Sequence, residues 1–298
     1  MMNFGSIEPN IRTDCIDFII VSNRSLNTID KVFKEAALNP SKWMNHHFYV
    51  VYDTEEECKI LKAWVEEARE FMSLPKITTV LAAPENIKNV TALRQQGLEQ
   101  GSNPYIYFQD DDDPLPMGVD RRMKMMDSNN WVAIYGLTRS VGPRGQLIEE
   151  FPTLAQDNFM YEPVEATKLF PTYTHPLAAL FKRSLFDKVS LGDDHRYQYS
   201  GSNAFCVRLF MSGLPIHFLP DVVRTVRHHT GNNNGIFQKT EASQLAHDIH
   251  LWQEHIQDTD ILQFQKNIAQ SLIDGRITTY REIDAQVEEK MEDMHKIY

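Results

Sequence analysis

Basic residues are scarce in this chain: 30 lysines and arginines stand against 41 aspartates and glutamates, a formal net charge of −11. Binding led by phosphate charge draws on many lysines and arginines, so nucleic acid is disfavoured as the main partner, a local basic patch aside. Cysteine is scarcer still. Cys15, Cys58 and Cys206 are far apart and odd in number, which supplies neither a disulfide framework nor a zinc pattern; all three are expected to be reduced and partly buried. No apolar run approaches the length of a membrane-spanning helix, and "MMNFGSIEPNIRTD" has no basic start followed by an apolar core. The expected location is the cytoplasm. No glycine-rich loop ends in Gly-Lys-Ser/Thr, which excludes a P-loop ATPase.

What is present is an alternation of strand and helix signals. "DFIIVSNR" (residues 17–24) is a short apolar run ending in turn residues, and the stretch after it places Leu26, Ile29, Val32, Phe33 and Ala36 at helical spacing. "HHFYVVYDT" (46–54) predicts a second strand ending in Asp53, with His46 and His47 at its edge. A helix follows, with Cys58, Leu61, Val65 and Ala68 on one face. "KITTVLAA" is a third strand, "NVTALRQQGLEQG" a helix closed by Gly101, and "PYIYFQ" a fourth strand. Such alternation predicts an α/β domain with a mostly parallel sheet flanked by helices. Ligands of such sheets bind at the carboxyl ends of the strands, where Asn23, Arg24, Asp53 and a run of four aspartates fall.

That run, "YIYFQDDDDPLP" (105–116), is the main chemical signal. An acidic run is ordinarily a solvated loop, but this one follows a buried-strand pattern and is stopped by Pro114 and Pro116 before a helix, "MGVDRRMKMMD", whose methionines fit a core face. In extended backbone, residues two apart share a side. Asp110 and Asp112 then converge on one point, while Asp111 and Asp113 are expected to face outward. Paired carboxylates suit a hard cation, Mg²⁺ or Mn²⁺, that takes its remaining oxygens from phosphate and water.

From about residue 18 to about residue 234 the sequence resembles the nucleotide-sugar glycosyltransferases of the GT-A fold, and among them the large family 2. "NVTALRQQGLEQGSNPYIYFQDDDDPLP" is similar to that family's helix and strand leading into its DXD segment; "VSNR" resembles its first-strand nucleotide loop; "HPLAALFKRSLFDKVS" resembles its acceptor-side segment; "LPDVVRTVRHHTGNN" resembles its closing strand ending in Arg-x-His. The resemblance implies a GT-A domain over 13–234 and a helical extension over 235–298. It implies that Asp110 and Asp112 are the DXD pair and that His229 is a third metal ligand. Arg94 and Gly97 then stand in the Arg-Asn-x-Gly helix motif, with Gln95 in place of Asn. Asn23, Arg24, Asp53, Arg94 and Asp110 would line the donor, a UDP-sugar in first place and a GDP-sugar in second. Arg94 or Arg227 would add positive charge near the diphosphate, although an arginine on such a helix is commonly a surface residue in a weak ion pair.

The implied activity is transfer of a hexosyl or pentosyl group to a hydroxyl of a saccharide or glycoconjugate, with a modified base of phage DNA as a lesser alternative. An inverting reaction needs a base within hydrogen-bond reach of the acceptor. Here the chain departs from the family: where Glu-Asp is usual, "YQYSGSNAFCVRLFMSG" offers Gly201 and Ser202. Asp194, and next Asp193, lie just upstream in "LGDDHRYQYSGS" and are the candidate bases; a polar surface turn is their plain alternative. The gap leaves inversion and retention both open. It also keeps in play a nucleotide-sugar-binding protein without catalysis, and a sugar nucleotidyltransferase shares the sheet, metal and nucleotide. His247, His250 and Glu254 sit on the polar side of an amphipathic helix, and the extension carries a second apolar stripe suited to covering the cleft, packing on the sheet or forming a homo-oligomer.

Overall fold

The computed structural model describes residues 15–22, 26–84, 90–142, 146–150, 178–191, 205, 208–209 and 212–227. Within them the chain runs β1 (Ile16–Ser22), α1 (Leu26–Leu38), α2 (Pro40–Trp43), β2 (His47–Tyr52), α3 (Glu55–Ala68), β3 (Lys76–Leu81), α4 (Val90–Gln100), β4 (Tyr105–Asp110) and α5 (Val119–Asn129). It continues through β5 (Ala133–Val141), β6 (Leu147–Glu150), β7 (Ala179–Lys182) and β8 (Ile216–Arg227). The residues of the C-terminal extension lie outside this set.

The strands form one sheet in the order β3-β2-β1-β4-β7-β5-β6, with β8 also paired to β5. The first four are mutually parallel, as the alternation predicts. β7 is antiparallel to both β4 and β5, and β6 to β5, so the later half is mixed. The chain steps outward from β1 through β2 to β3 and then crosses back to lay β4 on the other side of β1. That reversal is the topological switch point, and it opens a crevice at the carboxyl ends of β1 and β4.

Both faces of the sheet are covered, which explains why β1 and β2 read as unbroken apolar runs. Ile16, Phe18, Ile20, Phe48, Val50 and Tyr107 join one core with residues of α1, α2, α3 and α5, including the buried Met123 and Met126. Ile19, Val51, Val80, Ile106, Phe108 and Phe181 join the other, with Leu93 and Leu98 of α4. α4 lies close to the sheet because Gly97 has no side chain: a Cβ there would stand 2.6 Å from Ile19 Cγ2 and 3.0 Å from Val51 Cγ2. Thr54 caps α3 by accepting from the Glu57 N–H, and three glutamates occupy its first turn, where the helix dipole favours negative charge.

His46 and His47 stand at the start of β2, as expected, and are buried there. β2 lies between β1 and β3, and the two residues are 3% and 7% exposed. His46 Nδ1 accepts from the Ile16 N–H, and His47 Nε2 lies 2.8 Å from the Thr78 hydroxyl. Burial, with Lys76 nearby, pushes His47 down from 6.5 to about 4. The unfolded chain therefore binds a proton between these values that the native state refuses, and stability falls as pH drops through that window. Urea denaturation between pH 7 and pH 4 should show a loss of up to about 3 kcal/mol from this group. His47→Asn should flatten that part of the profile.

Candidate functional site

The strand ends are aligned by register. Val21 of β1 pairs with Val51 of β2 and with Asp110 of β4, and Ser22 pairs with Tyr52. The residues one step beyond, Asp53 and Asp111, therefore flank the end of β1. Asp111 accepts from Ser22 Oγ at 2.5 Å and from Thr28 Oγ1 at 3.5 Å. Burial raises Tyr52, with Glu57 and Asp111 adding to it, and burial raises Glu57, with Asp53, Glu56 and Asp111 adding. The end of β2 thus presents the half-buried Asp53 and Glu57 in front of the buried Asp111, a pair of carboxylates fit to accept hydrogen bonds from a ligand's N–H or O–H groups.

The aspartate run divides by parity, but not as expected from the sequence. Asp111 and Asp113 are 5% and 3% exposed, so they face into the protein and not outward. Asp110 keeps a side chain 35% exposed, and Asp112 is also half-buried. The reason for the inversion is that the positive and polar partners lie inside. Arg224 of β8 donates from Nε (3.1 Å) and Nη2 (2.7 Å) to Asp113 Oδ2, and from Nη2 to Asp110 Oδ2. Arg94 of α4 donates to the other Asp110 oxygen at 3.0 Å. The Arg227 N–H donates to Asp113 Oδ1 at 3.0 Å.

The turn that carries these carboxylates is tied from every neighbouring element. Gln109, buried in β4, donates to the carbonyls of Asp110, Asp113 and Pro114. Glu35 of α1 accepts from the Leu115 N–H, Lys42 donates to the Pro116 carbonyl, and Arg122 of α5 bridges the carbonyls of Met117 and Val222. A loop so held has lost its conformational entropy during folding and presents its remaining groups pre-positioned.

Of the residues singled out from the sequence, Asp53, Arg94, Asp110 and Asp112 meet at this end of the sheet. Asn23, Arg24, Asp193, Asp194, Gly201, Ser202 and His229 lie outside the described residues, as do His247, His250 and Glu254. Arg94 is 7% exposed and not a surface residue; α4 delivers it to Asp110 one turn before the close contact at Gly97. Arg227 contributes its main-chain N–H to Asp113. Arg224 was missed. The only sequence signal for it was the electrostatic debt of four adjacent carboxylates, which demands buried cations somewhere in the chain. On Arg224 burial opposes the charge, but Asp110 and Asp113 outweigh it and raise its pKa. Among the described residues no group of three or more His, Cys, Asp or Glu side chains is arranged to hold a metal ion.

The oxygen donors at this site suit a hard cation that borrows ligands from a bound diphosphate. Asp112, half-exposed on a tied turn, fits that demand. Both oxygens of Asp110 face guanidinium groups, which weakens it as a direct ligand. No helix among the described residues is long and apolar enough to cross a membrane.

No protein-family model matches the chain, and no curated protein sequence does. Solved structures do. Residues 1–349 of S. aureus TarS in complex with UDP-GlcNAc superpose with a TM-score of 0.64 at 12% identity, over 88% of this chain and 72% of that one. The longer S. aureus TarS structure gives 0.58 at 13% identity, this chain spanning 43% of its length. The mannosyltransferase PcManGT from Pyrobaculum calidifontis, in complex with GDP-Man and Mn²⁺, gives 0.56 at 13% identity over 92% of this chain and 75% of that one. Likeness at these identities establishes the architecture.

Proposed function

From the GT-A fold as premise, we propose that this protein is a metal-dependent glycosyltransferase that moves a sugar from a nucleotide-sugar donor, a UDP-sugar in first place, to a hydroxyl of a saccharide or glycoconjugate. The observation that carries this reading is the aspartate turn at the β1/β4 switch point, clamped on all sides with Asp112 half-exposed. The carboxylate pair at Asp53 takes the base, Asn23 and Arg24 belong to the nucleotide loop, and Asp112 holds Mn²⁺ or Mg²⁺, with Asp110 and His229 as further candidates. When bound, the cation stabilises the negative charge left on the departing diphosphate.

The chain's own residues do the rest. Arg94 keeps Asp110 at the strand end, and Ser22 and Thr28 keep Asp111 turned in beside the nucleotide end of the cleft. Asp194 or Asp193 takes the acceptor proton. The chain's acidic balance favours an uncharged saccharide acceptor over a nucleic acid. Incubation with Mn²⁺ and a panel of UDP- and GDP-sugars tests the proposal. Slow release of free sugar and nucleoside diphosphate is the expected result. With pyrophosphate added, conversion of the nucleotide sugar to a nucleoside triphosphate and a sugar 1-phosphate would identify a nucleotidyltransferase instead, and binding without turnover a nucleotide-sugar-binding protein.

A further inference from the structure

Arg224 is the side chain that binds both carboxylates flanking the Asp111–Asp112 pair. It is 3% exposed. Its guanidinium reaches Asp110 before the turn and Asp113 after it, each of which has a second anchor of its own: Arg94 for Asp110, the Arg227 N–H for Asp113. Asp111 is drawn inward to Ser22. Asp110, Asp111 and Asp113 are thereby fixed in directions set by the protein.

We propose that Arg224 is a positioning residue for metal loading, an inference that rests on the nucleotide-sugar reading above. One guanidinium holds Asp110, before the turn, and Asp113, after it, together. It thereby fixes both ends of the turn that carries Asp112, the carboxylate the proposed function gives to the ion, and sets where the cation meets the nucleotide diphosphate. A guanidinium suits this role because its planar fork engages two carboxylates at once; a lysine offers a point charge on a flexible stem. The register of β8 makes it possible. Its pairing with β5 shifts between Tyr135 and Leu137 and again before Thr138, beside Pro220, which has no N–H to donate to the ladder. Gly136 lets the bulged strand approach, since a Cβ there would collide with Val223 and with the Asp221 carbonyl. The bulge brings Arg224 opposite Thr138 with its guanidinium on the aspartate turn.

The test is Mn²⁺ binding by the full chain, read from the electron paramagnetic resonance of the free ion, with UDP and GDP each added separately. The comparison is wild type, Arg224→Lys and Asp113→Asn, at a temperature where circular dichroism shows each folded. Both variants are expected to weaken nucleotide-dependent Mn²⁺ binding by about 10- to 100-fold, the usual effect of losing a residue that orients a ligand. Metal-free UDP or GDP affinity should stay at the wild-type value. Should Arg224→Lys fail to fold, Asp113→Asn alone decides the matter. Wild-type Mn²⁺ affinity in the folded variants would overturn the role of Arg224 and leave the glycosyltransferase reading standing. Absence of nucleotide-dependent Mn²⁺ binding by wild type would overturn both.

Discussion

Asp112→Asn is expected to lower metal-dependent turnover of the nucleotide sugar by about 100- to 1,000-fold, the range for removing about 3–4 kcal/mol of stabilisation from a departing diphosphate. The same substitution should move the thermal midpoint by no more than about 2 °C, because a half-exposed polar side chain contributes little to folding. This separation of effects distinguishes Asp112 from the rest of the run. Asp111 and Asp113 are nearly inaccessible and hold the turn together, so changing them alters the scaffold as well as the site. Asp110 is engaged by two arginines. Initial rates of sugar release with saturating Mn²⁺, alongside a thermal melt, check the prediction. Turnover within about three-fold of wild type would remove Asp112 from the metal site, since a tenfold change corresponds to only about 1.4 kcal/mol.

The opposite profile is expected at the other end of the sheet. Asp17 in β1 is fully buried, and Arg183, just after β7, donates to its Oδ2 while Asn103 donates its N–H (2.9 Å) and side-chain amide (2.7 Å). Arg183 also donates to the carbonyls of Leu98 and Asn103, at 2.9 Å and 2.7 Å. One guanidinium therefore joins β1, the end of α4 and the segment after β7. Arg183→Met strips the cation from a buried carboxylate, which costs about 3–5 kcal/mol.

The deficit should depend on pH in a stated direction. Burial already pushes the Asp17 carboxyl up from its ordinary 3.8, against Asn103 and Arg183. Without Arg183 it rises further, so the native state binds a proton that the unfolded chain has released. Stability of the variant then falls as pH rises above about 4 toward the new native value. Urea denaturation at pH 4 and pH 7 should accordingly show the smaller deficit at pH 4. Nucleotide-dependent Mn²⁺ binding, measured below the variant's unfolding transition, should be that of wild type, because Asp17 lies near the amino end of β1 and the site at its carboxyl end. A deficit that is small and independent of pH would mean that Asn103 alone satisfies Asp17.

The elements of the first half were legible because their signals are local. Phe18 and Ile20 against Ile19, or Tyr105 and Tyr107 against Ile106 and Phe108, alternate between two buried faces, and each intervening helix carries its own apolar stripe. The convergence of Asp53 and the aspartate turn followed from parallel topology, which sends all strand ends to one side. The short α2 and the antiparallel β6 and β7 were not read, since a four-residue element carries too little pattern to declare its partner.

By itself the sequence determined that four carboxylates crowd the end of β4 and are stopped by Pro114; they read as extended, whereas the folded chain turns there, the Asp113 N–H donating to the Asp110 carbonyl at 3.4 Å. Which pair turned inward was decided only by tertiary structure. Asp111 is drawn in by Ser22, 89 residues away, and Asp113 by Arg224, 111 residues away. Whether Arg224 arrives there depends on a bulge in β8 set by its pairing with β5. Charges this close choose their direction by the nearest opposite charge, and what is nearest is a property of the folded chain.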